Sequence, residues 1–366
     1  MAKSKKKKRR DRRIKRRNRR RKNRNTKPVT PEVTTQPAPV PAPVPAPIAP
    51  PQKVVIVDPP IPGDANYDGN VDEEDLAIFQ SEFGLKGNDL SADFDQDGDV
   101  DLSDFAILRA NYKLIDLTTH AAEQIDSRLQ QDPDVEKLLW STRDHLTPEY
   151  IRNPDSWLSD VDVTCHSAWN SWSAGNRRTA TLIAPDAYVC SWHFKNPVGY
   201  TLRFIENDGT IHTRTIAARV QIGTSDICVG KLDSDLPPSI THAKVPPANL
   251  SEYFEGSLRV AAVGLDQEDH ASCRDLTSMS YSMRFSTPID PIRLLYYEAV
   301  INGDSGDPGF MLINNEIVLL TTWTYGGAGS GSKIHTQLTE INDALASMGS
   351  THTVDVVDMR KFKKYG

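Results

Sequence analysis

Gly303-Asp304-Ser305-Gly306-Asp307-Pro308-Gly309-Phe310 sets a serine hydroxyl among glycines, a pattern suited to acyl transfer. A nucleophilic serine must bring its Oγ against a carbonyl carbon while backbone N–H groups point at the oxyanion that forms. Glycines, lacking side chains, let both approach closely. Gly303 N–H and Ser305 N–H are the natural donor pair. The same residue types also build plain surface turns, so the segment alone leaves both readings open. The next segments of the chain narrow them: an apolar, β-branched run, Ile317-Val318-Leu319-Leu320-Thr321-Thr322-Trp323, and then Gly326-Gly327-Ala328-Gly329-Ser330-Gly331.

This order resembles the carboxy-terminal barrel of the trypsin-like (chymotrypsin-fold) serine proteases, whose Gly-Asp-Ser-Gly-Gly-Pro motif is met here except that Asp307 replaces a glycine. The likeness covers roughly residues 160 to 345 and implies an all-β double barrel of six strands each. It also implies a chain order: a His closing a buried strand, an Asp beside an apolar strand, then the Ser. His193 fits the first, at the end of Thr181-Leu182-Ile183-Ala184-Pro185 and Ala187-Tyr188-Val189-Cys190-Ser191-Trp192-His193-Phe194. His166, in Thr164-Cys165-His166-Ser167, is the competing histidine. Asp226 fits the second, in Ser225-Asp226-Ile227-Cys228-Val229-Gly230-Lys231-Leu232, whereas Asp233 and Asp235 read as solvated loop acids before Pro237-Pro238.

Three such residues are wanted because a serine hydroxyl is a poor nucleophile at neutral pH and needs a base titrating near that pH. His193 would take the proton and return it to the leaving amine. Asp226 would hold the other ring nitrogen and stabilise the imidazolium. The resemblance also puts Ala299 at the floor of the primary specificity pocket and Thr324 on its wall. No acid stands at that floor, so a small, neutral pocket is expected rather than one for Arg or Lys. The family pairs the Asp before the nucleophile with a new amino terminus. No activation sequence is visible near residues 150 to 165, which leaves the partner of Asp304 open.

A second signal is independent of the first. Asp64, Asn66, Asp68, Asn70, Asp72 and Asp75 stand at positions 1, 3, 5, 7, 9 and 12 of a twelve-residue loop with Gly69 at position 6. Twenty-nine residues on, Asp93, Asp95, Asp97, Asp99, Asp101 and Asp104 repeat the pattern around Gly98. Position 7 ligates through its backbone carbonyl, so the Asn70 and Asp99 side chains are not essential. Leu76, Ile78, Phe79 and Phe83 correspond to Phe105, Ile107, Leu108 and Tyr112, one apolar helical face in each half. A duplicated loop-helix unit results, and clustered oxygens at this spacing predict two structural Ca2+ ions. With Asp at position 12 and no helix leading into the first loop, the pair resembles a dockerin. A cohesin-like or cell-surface partner is what that resemblance implies, although positions 10 and 11 differ between halves, Glu73-Glu74 against Leu102-Ser103.

Composition orders the rest. Residues 1–27 hold eighteen of the 43 Lys and Arg but one of the 49 acids, leaving 25 basic against 48 acidic residues beyond them. The formal charge of −6 therefore hides a tail of about +17 joined to a body of about −23. Such a tail is expected to be disordered and to bind a polyanion: nucleic acid, anionic polymer or lipid surface. Residues 28–62 repeat Pro-Ala-Pro-Val, an extended spacer. Residues 63–115 hold the calcium repeat and 116–160 a helical lead-in with Ala121, Ile125, Leu129, Val135, Leu138, Leu139 and Trp140. Residues 161–366 form the protease-like domain, with hairpin turns at Asn207-Asp208-Gly209 and Asn314-Asn315.

Cys165, Cys190, Cys228 and Cys273 form no metal pattern, and buried free thiols are the default. A Cys165–Cys190 bridge is an alternative if the protein is exported. No apolar run is long enough to span a membrane and no signal peptide is visible. An extracellular or cell-surface location rests on the resemblance alone. Two function classes stand: a serine endopeptidase acting on protein or peptide, and a non-catalytic adhesion or assembly protein that keeps a degenerate protease fold.

Overall fold

From Trp140 onward, short apolar strands pair antiparallel and build two six-stranded, barrel-like sheets. The computed structural model describes residues 61–365 apart from 69, 145–146 and 169–177. The basic tail, nearly all of the proline-rich spacer and Gly69 lie outside the described residues. Those described belong to one compact unit, Pro59–Gly366.

A small hairpin, β1 (Trp140–Asp144) and β2 (Glu149–Arg152), precedes the first sheet. That sheet comprises β3 (His166–Ser167), β4 (Ala180–Ala184), β5 (Ala187–Ser191), β6 (Thr201–Ile205), β7 (Ile211–Gln221) and β8 (Ile227–Leu232). Their spatial order is β3-β4-β5-β8-β7-β6, and a bridge from Ala168 to Arg203 brings the two edges together. The second sheet comprises β9 (Val260–Leu265), β10 (Ala271–Ser278), β11 (Met283–Ser286), β12 (Pro308–Ile313), β13 (Glu316–Thr322) and β14 (Ser330–Gly331). Its order is β13-β12-β9-β10-β11-β14, and Thr321 Oγ1 reaches Ser332 O at 2.8 Å to draw the last strand back toward the first.

Period-two alternation explains why β9 and β12 are buried along their whole length. Ala261, Val263 and Leu265 face the larger core shared with the first sheet, while Val260 and Ala262 face a second core with Met311, Leu320 and Trp323. A strand packed on both faces reads as a continuous apolar run, as both do here. The two hairpin turns lie where their residue types allow a left-handed backbone: Gly209 at φ +92°, and Asn314 and Asn315 at +52° and +65°.

Helices are few. In the duplicated region α1 (Glu73–Glu82) and α2 (Leu102–Asn111) are each started by a capping box, Asp72 with Asp75 and Asp101 with Asp104. The backbone repeats too: Gly84 N–H donates to Val100 O, and Lys113 N–H, twenty-nine residues on, donates to Val71 O. Val71, Phe79, Val100 and Leu108 form the shared core, whereas Phe83 is half exposed, off the expected apolar face. After it comes α3 (Leu117–Asp126), which buries Leu117, Ala121 and Ile125, one face at helical spacing.

The region 116–160 is helical only in part. Gln131 takes φ +71° and Pro133 comes two residues later, which ends helical continuity before the four-residue α4 (Pro133–Glu136). Trp140 is already strand, and Leu139, Trp157 and Leu158 enter the larger core, so this stretch is part of the β body rather than a lead-in to it. Beyond the second sheet's α5 (Pro291–Leu295) and α6 (Leu338–Ser347), the carboxy-terminal strap buries Val354, Val357, Met359 and Phe362 and pairs with Ile115. No helix among the described residues is long and apolar enough to cross a membrane.

Candidate active site

Ser191 ends β5, and the chain turns through a short 3-10 segment, Trp192–Phe194, that carries His193 out of the sheet. Asp226 precedes β8, the strand paired with β5. Trp192 N–H donates to Asp226 O at 3.1 Å, so strand register sets the histidine beside the acid. Asp226 Oδ1 accepts His193 N–H at 2.9 Å and Oδ2 lies 2.7 Å from His193 Nδ1. A carboxylate only accepts, so the ring proton sits on Nδ1 and leaves Nε2 as an acceptor. Ser305 Oγ is 3.0 Å from that Nε2. The structure thus joins His193, Asp226 and Ser305 in one hydrogen-bonded line between the two sheets.

The serine is held by the turn before β12. Gly303 has φ +110°, and a Cβ there would come within 2.4 Å of Gln267 Oε1, so this position requires glycine on two counts. Among the described residues neither Gly303 N–H nor Ser305 N–H donates to a protein acceptor. Asp304 is buried, and its carboxylate accepts Ile301 N–H at 2.7 Å and Gln267 N–H at 3.3 Å. Two internal amides therefore answer the open question of its partner. Burial, with Asp266 nearby, still pushes its carboxyl above the usual range. Trp323 O ties the sheets at this point, accepting Gly306 N–H at 3.1 Å from the serine turn and Ser191 Oγ–H at 2.6 Å from the histidine strand.

Asp307, the departure from the glycine-rich motif, is fully buried beneath the turn. Thr179 Oγ donates to its Oδ1, Oδ2 has no partner among the described residues, and burial pushes the carboxyl well up. His166, the competing histidine, is buried 3.9 Å from Asp307 and bonds Asp269 instead, with Nε2 3.2 Å from Oδ1. Arg143 completes that group; although burial alone would raise Asp269, His166 and Arg143 together hold its carboxyl low.

A cleft of about 380 Å³ opens beside the triad, lined by His193, Gln221, Ser225, Asp226, Thr324 and Tyr325. Thr324 thus borders the site, and its hydroxyl has no partner among the described residues. Ala299 is exposed, and its neighbour Val300 is buried and pairs its backbone with Gly327. A larger recess, around Pro237, Pro238 and Ile240, contains none of the triad.

The two Asp-rich loops share one geometry. Asp75 Oδ1 accepts Ala65 and Asn66 N–H at 2.7 and 3.2 Å, while Oδ2 accepts Asp72 N–H at 2.8 Å. Asp104 does the same for Phe94, Asp95 and Asp101 at 2.7, 3.2 and 2.9 Å. Tyr67 and Gln96, both at position 4, take left-handed φ of +59° and +60°. Asp64 and Asp93 Oδ1 accept from Asp68 and Asp97 N–H, and Asp68 and Asp97 Oδ1 accept from Asn70 and Asp99 N–H. Oxygens of Asp93, Asp95 and Asp104 lie within 4.8 Å of one another. Desolvation and the neighbouring acids Asp104, Asp97 and Asp93 push the Asp95 carboxyl up. Such crowding is what a hard cation relieves.

The four cysteines are free and buried, with Cys190 opposite Cys228 on β5 and β8. Gln267, Ser191 and Thr179 support the site but carry no local signature in the sequence, because strand pairing brings them in from far along the chain. No family model matches this chain, and no curated protein matches it.

Proposed function

We propose that this chain is a serine endopeptidase of the trypsin-like kind. The observation that carries the reading is His193, whose two ring nitrogens lie 2.7 Å from Asp226 and 3.0 Å from Ser305. Ser305 Oγ attacks the scissile carbonyl as its proton passes to His193 Nε2. Asp226 keeps the ring in the reacting tautomer and stabilises the imidazolium. The developing oxyanion takes the N–H groups of Gly303 and Ser305, which no acceptor among the described residues competes for. His193 then protonates the leaving amine, and water, deprotonated by the same nitrogen, releases the acyl group from Ser305. The polar cleft along Thr324 and Tyr325 would receive the substrate chain.

The Asp-rich loops fit calcium by their donor set: Asp64, Asn66, Asp68, Asp72 and Asp75 in the first, Asp93, Asp95, Asp97, Asp101 and Asp104 in the second. Each ion would neutralise clustered carboxylates and fix a loop against its helix, a stabilising role apart from the chemistry. The dockerin-like duplication supports an attachment role for this part of the chain.

A fluorophosphonate probe should label Ser305, and Ser305→Ala should lose both labelling and peptide cleavage. His193→Ala should lower kcat about 10⁴-fold or more, since members of a triad act as a unit, whereas His166→Ala should retain most turnover. Cleavage that survives Ser305→Ala, or loss centred on His166, overturns the assignment.

A further inference from the structure

We propose that Asp266, His270 and Glu298 form a second kind of metal site, one that takes a divalent transition-metal ion such as zinc. His270 Nδ1 lies 3.4 Å from Asp266 Oδ2 and 3.2 Å from Glu298 Oε2. A tetrahedron with metal–ligand bonds of about 2.0–2.1 Å has edges of about 3.3–3.4 Å, close to both separations. One atom from each of the three side chains lies within 4.8 Å of the others. One imidazole with two carboxylates is a donor set that suits zinc with an open fourth position. Imidazole also separates this site from the all-oxygen loops, which suit a harder ion.

The oxygens that do not face His270 are already committed. Asp266 Oδ1 accepts Glu268 N–H at 2.8 Å and His270 N–H at 3.0 Å, and Lys137 takes Glu298 Oε1. Outer bonds of this type orient ligands and hold them monodentate. The three side chains remain 16–31% exposed, so an ion can enter from solvent.

The place gives the site its consequence. Asp266 and His270 flank the β9–β10 turn whose Gln267 supports Asp304 by its N–H and sits against Gly303 by its side chain. Glu298 begins the segment that leads into the serine turn. An ion bound there would brace the support of Ser305 from outside the triad.

Cobalt(II) titrated into the full chain in excess calcium should give the intense visible absorption of four-coordinate cobalt, and zinc should displace it. His270→Asn should abolish the absorption, while Asp266→Asn and Glu298→Gln should each weaken zinc binding by at least about tenfold. Asp97→Ala, in the Asp-rich loop, should leave the spectrum unchanged. Should His270→Asn fail to fold, Glu298→Gln reads the same site. Absence of the absorption in the wild-type chain, its persistence without His270, or unchanged affinity in Glu298→Gln would mean a plain ion triad and overturn the proposal. None of these readouts depends on proteolysis.

Discussion

Asp307 departs from the glycine-rich motif, and its setting yields a prediction about pH. Its folded-state carboxyl is pushed well above the ordinary value near 3.8 by burial. A group raised in this way contributes fully to stability below its unfolded value and loses that contribution as pH rises through the folded one. Asp307→Asn carries no proton to lose. Its gain over the wild type should therefore be larger at pH 7 than at pH 4, read from thermal melts at both. Equal gains at the two pH values would show that the buried acid does not titrate. Gly303→Ala tests the turn itself: with φ +110° and Gln267 Oε1 in the way, the amide must move. A fall in kcat of about 10²–10³-fold is expected, the loss seen when one oxyanion donor is removed. His193, Asp226 and Ser305 were legible in the sequence because each sits in a local motif. Gln267, Ser191 and Thr179 were not, because their places depend on pairings such as Thr179 with Asp307 that no spacing encodes.

At the scale of elements, legibility followed periodicity. The runs around β4, β5, β8 and β13 are apolar and β-branched, and all are strands. The apolar residues from Leu129 to Trp140 look helical by count alone, yet Gln131 and Pro133 break the helix and Trp140 begins a hairpin. Spacing could not show this, because Leu139 buries fully in the larger core, and Leu129 and Trp140 partly, without a helix to carry them. The duplicated loops were legible twice over, in side-chain pattern and in phase, and the backbone repeats the match at Tyr67 and Gln96. Their capping boxes make a further prediction. Asp101 and Asp104 both start α2, while Asp97 caps nothing in the helix, so Asp97→Ala removes a ligand without removing a cap. Calorimetric titration of that variant should register one calcium ion fewer than the wild type, with helix content in chelator unchanged between the two. An unchanged stoichiometry would remove Asp97 from the ligand set.

For the whole molecule, the question is how far calcium binding and the serine site depend on each other. The duplicated region meets the β body through few elements: Ile115 pairs with Phe362 of the strap, and Arg360 reaches Glu73 at 2.9 Å. Arg360 is largely exposed, and a surface ion pair of this kind contributes about 0–1 kcal/mol. The core of Val71, Phe79, Val100 and Leu108 is separate from both cores of the sheets. A region with its own core and so few ties to the sheets is expected to unfold separately from them. Calorimetry of the full chain should therefore show two transitions, and chelator should lower or abolish the one that belongs to residues 63–115, because an ion that binds only the folded form stabilises it by mass action. The transition of the sheets should shift little, and peptide hydrolysis should stay within about twofold, since His193, Asp226 and Ser305 take their places from strand register and from Trp323 O. Hydrolysis lost in chelator and restored by calcium, with the upper transition moving as well, would mean that the strap transmits loop folding to the serine turn. The contacts at Ile115 and Arg360 would then be coupling elements rather than a tether.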